Sequence, residues 1–320
     1  MKHLTILVPN GENNLSSIVG AYKIFSRANS YRKEIFNIEL AGVSKIVEFH
    51  GGLFSARPNK HISEIKKTDL VIIPSLNHNY EASTAMNSEL VGWIARQYRD
   101  GAAVASICTG AFLLAEAGLL DGKSCSTHWT AAEDFRKRYP KVKLETDRLI
   151  TDKQGIYTNG GAYSFLNLVL YLVEKYYDRE TAIYCAKVFQ IEIDRHSQSD
   201  FIIFQGQKAH SDDLIRKAQE SIEHRLNEKI ATEELAASFA IGRRNFDRRF
   251  IKATGNTPTE YAQRVKIEAA KKAFENSRKS INEVMYEVGY SDQKAFREVF
   301  RKITGLSPLE YRNRYNKDAA

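Results

Sequence analysis

Cys108 lies where an enzyme built on a parallel sheet would keep a nucleophile. It follows the apolar run "AAVASI" and precedes a stretch whose apolar residues recur at helical spacing. A thiol at a strand-to-helix turn faces the helix N-terminus, whose dipole and free N–H groups stabilise a thiolate. The stretch "SICTG" also has the layout of a nucleophile elbow, with Ser106 in place of the first glycine. This pattern indicates either a reactive thiol or a site that keeps the backbone geometry of an active site without its chemistry.

His128 is a candidate general base for the same site. It lies twenty residues after Cys108 and reaches the thiol if a strand after "DGKSCST" returns to the same sheet edge. A cysteine after an apolar strand is, however, more often a buried, inert side chain. Catalysis, redox sensing and a structural role are therefore all open from these residues alone.

Strand and helix patterns alternate in the first half of the chain and would position this site. The predicted strands are "HLTILVP", "FNIELAGV", "DLVIIPS" and "AAVASI". Near-continuous Val, Ile and Ala runs are typical of parallel strands that are covered on both faces. The alternation predicts an α/β doubly wound (flavodoxin-like) sandwich. The predicted helices include "NNLSSIVGAYKIFSRAN", "NSELVGWIARQYRD", "GGAYSFLNLVLYLVEKYYD" and "RETAIYCAKVF".

The composition, 43% hydrophobic and 27% charged, is that of a soluble globular protein. No apolar run approaches the roughly 20 residues that span a bilayer, and the first apolar run is too short for a signal peptide. The three cysteines have no framework spacing, which favours a reducing cytoplasm. No His and Cys cluster has zinc spacing. We therefore predict a cytoplasmic protein with no membrane partner, no metal and no cofactor.

The sequence pattern changes after residue 195. The stretch "HSQSDFIIFQGQKAHSDD" is polar and aperiodic around one apolar patch, and only helical patterns follow it. We predict domains at 1–195 and 213–320, joined by a linker at 196–212 that partly packs back. Residues 211–320 contain 22 Lys and Arg against 17 Asp and Glu, whereas the first 210 contain 25 against 22. This uneven basic charge favours a polyanionic partner for the C-terminal domain.

The C-terminal domain contains a duplicated unit. "ATEELAASFAIGRRNFDRRFIKATGNTPTEYAQ" aligns with "SINEVMYEVGYSDQKAFREVFRKITGLSPLEYRN" at a spacing of 50 residues. Each copy is predicted as a helix-turn-helix, with its first helix at 233–239 or 281–288. Gly289 is expected to need a positive φ, and Ser291 is expected to cap the next helix. The predicted cores are Leu235, Ala236, Phe246 and Phe250, and Val284, Val288, Phe296 and Phe300.

The polar faces of the second helices are predicted to bind DNA. Arg and Gln near the start of such a helix reach base edges in the major groove, while Lys and Arg neutralise phosphates. The alternative is that these faces are simply exposed to solvent. It is the weaker interpretation, because the polar residues occur at matching positions in both copies. The predicted DNA-binding residues are Arg243, Arg244, Asp247 and Arg248 in the first copy, and Asp292, Gln293, Lys294 and Arg297 in the second.

Residues 213–315 resemble the DNA-binding domain of AraC-type transcription regulators. The resemblance is carried by "GYSDQKAFREVFRKITGLSPLEYR", with Tyr290 where the family pattern has Phe. It implies two helix-turn-helix units joined by a long helix, here "PTEYAQRVKIEAAKKAFENS", and two recognition helices in successive major grooves. In the first copy Gly242 replaces the usual Ser cap.

Residues 3–190 resemble the class I glutamine amidotransferase-like superfamily in its ThiJ/PfpI branch. "ICTGAFLLAEAGLLDGKSCSTHW" is similar to the first domains of AraC-type regulators with this fold. The departures argue against catalysis. Thr109 lies where PfpI-type proteases have a histidine, and Ser17 lies where related enzymes have an acid from the first helix. Glu12 is near in sequence but lies in the preceding loop.

We therefore interpret the elbow as the floor of an effector pocket, with Cys108 and His128 as vestiges of a catalytic pair. Helix N–H groups and a polarisable thiol suit a small anionic or amide-bearing ligand, and a redox signal is the other possibility. The predicted pocket residues, which are also common turn residues, are Asn10, Gly11, Ser75, Leu76, Cys108, Thr109, His128 and Asn159.

The sequence thus predicts a bacterial-type transcription regulator. It would bind double-stranded promoter DNA as a homodimer, with a small-molecule effector and without catalysis. The alternatives are a cysteine-dependent hydrolase or glyoxalase-like enzyme with an appended DNA-binding domain, and a first domain that only dimerises the protein.

Overall fold

The computed structural model describes residues 1–316 except 78, 194, 196 and 229. The chain forms two compact units that meet between Gln198 and Ser199. The first residue of the predicted linker, His196, lies outside the described residues. From Ser199 onward the predicted linker belongs to the second unit.

The first unit alternates strands and helices. Its strands are β1 (Lys2–Leu7), β2 (Phe36–Gly42), β3 (Val47–Phe49), β4 (Phe54–Ala56), β5 (Lys60–His61), β6 (Leu70–Ile73), β7 (Ala103–Ile107), β8 (Ser124–Cys125), β9 (Lys143–Leu144), β10 (Ile150–Lys153) and β11 (Ile156–Asn159). Its α-helices are α1 (Leu15–Tyr31), α2 (Tyr80–Met86), α3 (Ser88–Arg99), α4 (Ala111–Glu116), α5 (Ala132–Arg138), α6 (Phe165–Tyr176) and α7 (Arg179–Phe189).

A seven-stranded sheet runs through the described part of this unit in the order β10-β11-β7-β6-β1-β2-β5. Neighbouring strands are parallel except for β10 and β11. The carboxyl ends of β1, β6, β7 and β11 therefore meet at one edge of the sheet, which is where open α/β sheets bind ligands.

Residues of the central strands alternate between two apolar clusters, one on each face of the sheet. In β6, Ile72 packs in a cluster with α1, α6 and α7, whereas Val71 and Ile73 pack in a cluster with α3, α4 and α5. The alternation follows from the pleat, which points successive side chains to opposite faces. The predicted doubly wound sandwich is confirmed. The strands β3, β4, β5, β8, β9, β10 and β11 were not predicted, because short strands without a continuous apolar run carry little signal along the chain.

The described part of the second unit is helical. Its helices are α8 (Asp213–His224), α9 (Thr232–Ser238), α10 (Arg243–Thr254), α11 (Pro258–Asn276), α12 (Ile281–Glu287), α13 (Gln293–Thr304) and α14 (Pro308–Tyr315). Two apolar clusters fill it, and each contains all the core residues predicted for one copy of the repeat. The second helix of each copy is α10 or α13, and α11 is the predicted connecting helix.

The repeated "TG-x-x-P-x-E-Y" ending stops one helix and starts the next. In the first copy Gly255 ends α10 with φ +70°, a left-handed conformation that glycine adopts at little cost. Thr257 then caps α11 in a capping box with Glu260, and Pro258 occupies the first turn. The second copy repeats the device at Gly305, Ser307, Glu310 and Pro308.

The turn before α13 agrees with the prediction at its glycine and differs at its cap. Gly289 has φ +73°, and an added Cβ would lie 2.7 Å from the carbonyl of Asn227. The cap is Asp292 rather than the predicted Ser291: its carboxylate accepts the backbone N–H of Ala295 at 2.6 Å. Ser291 lies one residue too early to reach that N–H group. In α10 the cap position is Gly242, which has no side chain to donate or accept.

Candidate functional sites

Cys108 occupies a strained turn between β7 and α4. Its φ is +54°, a left-handed value that side chains with a Cβ rarely adopt. A short 3₁₀ turn, Cys108–Gly110, leads directly into α4. No bulkier residue fits at Gly110, because an added Cβ would lie 2.6 Å from the carbonyl oxygen of Pro74. The predicted elbow geometry is therefore present, and it aims a cysteine at the carboxyl edge of the sheet.

Burial is the main influence on the thiol of Cys108. Burial raises the pKa of Cys108 from 9.0 to about 11, although hydrogen bonds from the backbone and side chain of Thr109 and from the backbone of His128 act in the opposite direction. Only 6% of the residue is exposed. The enzyme alternative required a depressed thiol pKa, and the helix N-terminus does not provide one, because desolvation of the charged form is the larger effect.

Of Ser17, Thr109 and Glu12, which could have assisted a thiolate, only Thr109 interacts with the thiol through its side chain, and burial outweighs that interaction. The hydroxyl of Ser17 is buried and donates to the carbonyl of Asn14 at 2.7 Å. Thr109 donates its hydroxyl to the carbonyl of Leu76 at 2.5 Å. Glu12 accepts the backbone N–H of His50 at 2.9 Å. The acid that related enzymes bring from their first helix therefore has no counterpart in the described surroundings of Cys108.

His128 reaches the site by a route other than the predicted one. Strand β8 pairs with β9 in a separate two-stranded sheet, so it does not return His128 to the main sheet. Instead Thr127 donates its hydroxyl to the Cys108 carbonyl at 2.9 Å and ties this segment to the elbow. The ring Nδ1 of His128 lies 2.6 Å from the hydroxyl of Thr130 and also accepts the Thr130 N–H. This nitrogen therefore caps a turn.

A cavity of about 300 Å³ lies over the elbow. It brings together five of the eight predicted pocket residues: Ser75, Leu76, Cys108, Thr109 and His128. The sequence interpretation missed the other lining residues, which come from three loops, α2 and the β3–β4 turn: Asn13, Asn14, His50, Asn77, Tyr80, Thr130 and Ala162.

Three predicted pocket residues do not line this cavity. Asn10 exchanges hydrogen bonds with the side chain of Asn87 through its backbone N–H and carbonyl. Gly11 faces Met86, whose sulfur would lie 3.2 Å from an added Cβ. Asn159 is fully buried, and its amide donates to three carbonyls: those of Leu149, Gly160 and Ser164. Their role as effector contacts stays a prediction; a strand end fixes the edge of the sheet but not the direction of each side chain.

Asn13 is the most informative residue that was missed. It is fully buried, and its amide NH₂ donates to the carbonyls of Pro9 at 2.5 Å and Gly11 at 3.0 Å. Those two acceptors fix the orientation of the amide. Its Oδ1 has no hydrogen-bond partner among the described residues. A buried acceptor without a donor lowers the stability of the folded chain. No signal along the chain indicated this, because Asn13 is one of several Asn residues in the loop after β1.

In the first recognition helix, α10, two of the three predicted arginines are exposed and the third forms ion pairs. Arg244 and Arg248 are exposed to solvent. Arg243 forms ion pairs with Glu233 and, at 2.8 Å, with Asp247. Of the predicted residues in this copy, Arg244 and Arg248 are therefore the side chains most available to a nucleic acid.

In the second recognition helix, α13, all four predicted residues are exposed. Asp292 is the helix cap described above, and Gln293 donates to the side chain of Asn282 at 2.8 Å. Lys294 and Arg297 are exposed and extend the face along the helix. Because the Asp292 carboxylate lies at the start of α13, this end of the exposed face is less basic than the corresponding end of α10.

Other site classes receive no support from the described residues. No group of three or more His, Cys, Asp or Glu side chains that could hold a metal ion is found among them. None of their helices is both long and apolar enough to cross a membrane. All three cysteines are buried and free.

An α/β sandwich with a cysteine elbow, followed by two linked helix-turn-helix units, defines the class of this protein. Residues 9–175 match the DJ-1/PfpI family, and residues 235–314 match a helix-turn-helix domain. The chain belongs to the DJ-1/PfpI family, since that match covers more than half of its 320 residues, and it carries an AraC-type helix-turn-helix domain at its C-terminal end. Both predicted resemblances are confirmed.

The chain is similar to named transcriptional regulators of Pseudomonas aeruginosa. It is 26% identical to the HTH-type transcriptional regulator GbdR (strain UCBPP-PA14) over 229 residues, which are 71% of this chain and 62% of GbdR. It is 22% identical to the HTH-type transcriptional regulator CdhR over 300 residues, which are 93% of this chain and 88% of CdhR. The chain thus spans less than two thirds of GbdR but most of CdhR.

Solved structures support the fold. A THiJ/PfpI family protein from Pseudomonas syringae superposes with a TM-score of 0.52 and 18% identity, covering 61% of this chain and 76% of that one. An AraC family transcriptional regulator from Pseudomonas putida superposes with a TM-score of 0.50 and 18% identity, covering 59% of this chain and all of that one. At these identities the likeness concerns the fold alone.

Proposed function

We propose that this protein is a sequence-specific DNA-binding transcription regulator. The observation that carries the proposal is the duplicated helix-turn-helix, in which α10 and α13 each bury two phenylalanines and expose a polar, basic face. The buried side holds the helix in place, and the exposed side is free for the major groove. The named regulators to which the chain is similar support the same proposal.

The test is selection of bound sequences from random DNA with the full chain, followed by footprinting of the selected sequence. We expect two protected major-groove segments about one helical turn apart. Protein that is folded and yet enriches no sequence, with and without candidate effectors, would contradict the proposal.

We further propose that the cavity over Cys108 binds a small effector and performs no catalysis. The raised thiol pKa and the engaged Ser17 side chain argue against a nucleophile. A cavity of 300 Å³ has room for roughly ten water molecules, and its described lining contains no Lys, Arg, Asp or Glu. The buried Oδ1 of Asn13, at the cavity wall, has no partner among the described residues, and an effector with an N–H donor would satisfy it after a small shift of the side chains that cover it.

A matched pair of probes tests this assignment. N-methylacetamide and methyl acetate have nearly the same shape, but only the amide donates a hydrogen bond. We expect ligand-observed NMR to detect binding of the amide and not of the ester, and Ala162→Phe at the cavity lining to abolish it. Equal binding of both probes would remove Asn13 from the proposed site. A hydrogen peroxide titration that oxidises Cys108 first would favour redox sensing instead.

The same proposal places the protein with its promoter DNA in the cytoplasm, acting as a homodimer. A second copy raises affinity because linked binding sites engage one duplex at high effective concentration. Sedimentation with and without the selected DNA measures this directly.

A further inference from the structure

The segment 199–212, which the sequence predicts as a linker, is bound along its length to the helices of the second unit; we call it the strap. At its start, Asp200 is an ion-pair partner of Arg314 on α14, at 2.6 Å, and only 10% of the Asp200 side chain is exposed. Tyr315 donates its hydroxyl to the Asp200 carbonyl at 3.4 Å. The strap therefore begins on the last helix of the second helix-turn-helix unit.

The middle of the strap lies on a buried ion pair of the connecting helix α11. Lys271 and Glu268 are 2.8 Å apart, and their side chains are 3% and 10% exposed. Both charges bind the main chain of the strap: Lys271 donates to the carbonyl of Ile202 at 2.5 Å, and Glu268 accepts the N–H of Phe204 at 3.1 Å. A buried pair is favourable only when further hydrogen bonds complete it, and the strap supplies them.

The end of the strap is held by the first helix-turn-helix unit. Gly206 has φ +74° and passes so close to Tyr261 that an added Cβ would lie 2.6 Å from the hydroxyl oxygen. Gln207 accepts the side-chain amide of Gln219 on α8 through its carbonyl at 2.9 Å. Asp212 caps α8 and pairs with Arg249 of α10 at 2.6 Å. The strap thus contacts four helices: α14, α11, α8 and α10.

We propose that the strap fixes the distance and angle between the two recognition helices, with Lys271 and Glu268 as the residues that position it. This rests on the proposed DNA-binding function. Without the strap, the two recognition helices would be joined by α11 and by the contact of Gly289 with the Asn227 carbonyl, which restrains α11 from bending at one point only. A strap fastened to α14 at one end and to α8 and α10 at the other restricts the bend, and the buried charges resist its release because they would lose their main-chain partners. The strap therefore determines which spacing of half-sites the protein selects.

The experiment compares the affinity of the full chain for the selected operator with its affinity for the same operator carrying one extra base pair between the half-sites. One base pair rotates the second half-site by roughly 34° and moves it by about 3.4 Å. The ratio of the two dissociation constants is the spacing penalty. We expect Lys271→Met to reduce this penalty by roughly threefold or more, because the two recognition helices would then be linked less rigidly.

Two further variants complete the test. Lys272→Met makes the same change at the neighbouring, exposed position of α11 and should leave the penalty unchanged. Gly206→Ala disturbs the strap without altering the ion pair and should reduce the penalty as Lys271→Met does; circular dichroism verifies that each variant is folded. An unchanged penalty in folded Lys271→Met or Gly206→Ala overturns the inference while DNA binding stands. Absence of DNA binding by the unaltered chain is instead a failure of the proposed function.

Discussion

At the scale of single residues, burial decides the chemistry of the elbow. Cys108 has the backbone conformation of a nucleophile, but it is desolvated and its pKa is raised. Related reasoning applies to Tyr80, which lines the same cavity and whose pKa is raised to about 12, chiefly by burial. We therefore expect both groups to be neutral near pH 7, which supports the proposal that the cavity binds its effector through hydrogen bonds.

Alkylation of Cys108 should follow from this environment. We expect the rate with iodoacetamide to be low at pH 7 and to rise as the pH approaches about 11, because only the thiolate reacts. Mass spectrometry of the peptide that contains Cys108 separates it from the other two cysteines. A rate that reaches its plateau below pH 8 would restore the enzyme alternative.

At the scale of elements, the exposed faces of α10 and α13 and the turns that present them can be tested separately. Arg297→Ala should weaken binding to the selected DNA by roughly 1–3 kcal/mol if the side chain reads a base. The unfolding midpoint should stay the same, because Arg297 is exposed. Arg225→Ala is the matched control, since Arg225 lies outside α10 and α13 and forms a surface pair with Glu228. Equal loss in both variants would remove α13 from the interface.

Two glycines in this unit distinguish backbone strain from steric conflict. Gly255→Ala meets no atom within 4 Å, so only its left-handed φ is unfavourable, and we expect a loss of about 1–2 kcal/mol in unfolding free energy. Gly289→Ala has a similar φ but also meets the Asn227 carbonyl at 2.7 Å, and we expect a clearly larger loss. Urea unfolding of the full chain measures both, and equal losses would show that the contact at Gly289 relaxes freely.

At the scale of the whole molecule, two properties follow from summed charges and buried groups. The second unit has the higher density of basic charge, so DNA binding should fall steeply with salt. We expect Arg244→Ala to lower the slope of log K against log salt by about one if this exposed side chain contacts a phosphate. An unchanged slope, with weaker binding, would assign Arg244 to base reading instead.

Stability should decline in alkaline solution. Burial raises the pKa values of Cys108, Cys125 and Cys185 from 9.0 to about 11, about 12 and about 11. Above pH 9 the unfolded chain therefore loses these protons before the folded chain does, and the free energy of unfolding falls as the pH rises from 9 to 12. Urea midpoints at pH 8, 10 and 11 measure the fall. Cys125→Ser should make it shallower, and an identical pH dependence would contradict this cause.

The sequence by itself determined the fold class, the strands β1, β2, β6 and β7, both helix-turn-helix cores and the cysteine elbow. These features depend on local periodicity, turn residues and a repeat, all of which are visible along the chain. Only the tertiary structure decided that Asn13 lines the cavity and that Asn10, Gly11 and Asn159 are not among its lining residues. It also decided that the predicted linker is a strap. Side-chain direction and desolvation depend on residues distant in sequence, such as Lys271 beneath Ile202, and no pattern along the chain records those neighbours.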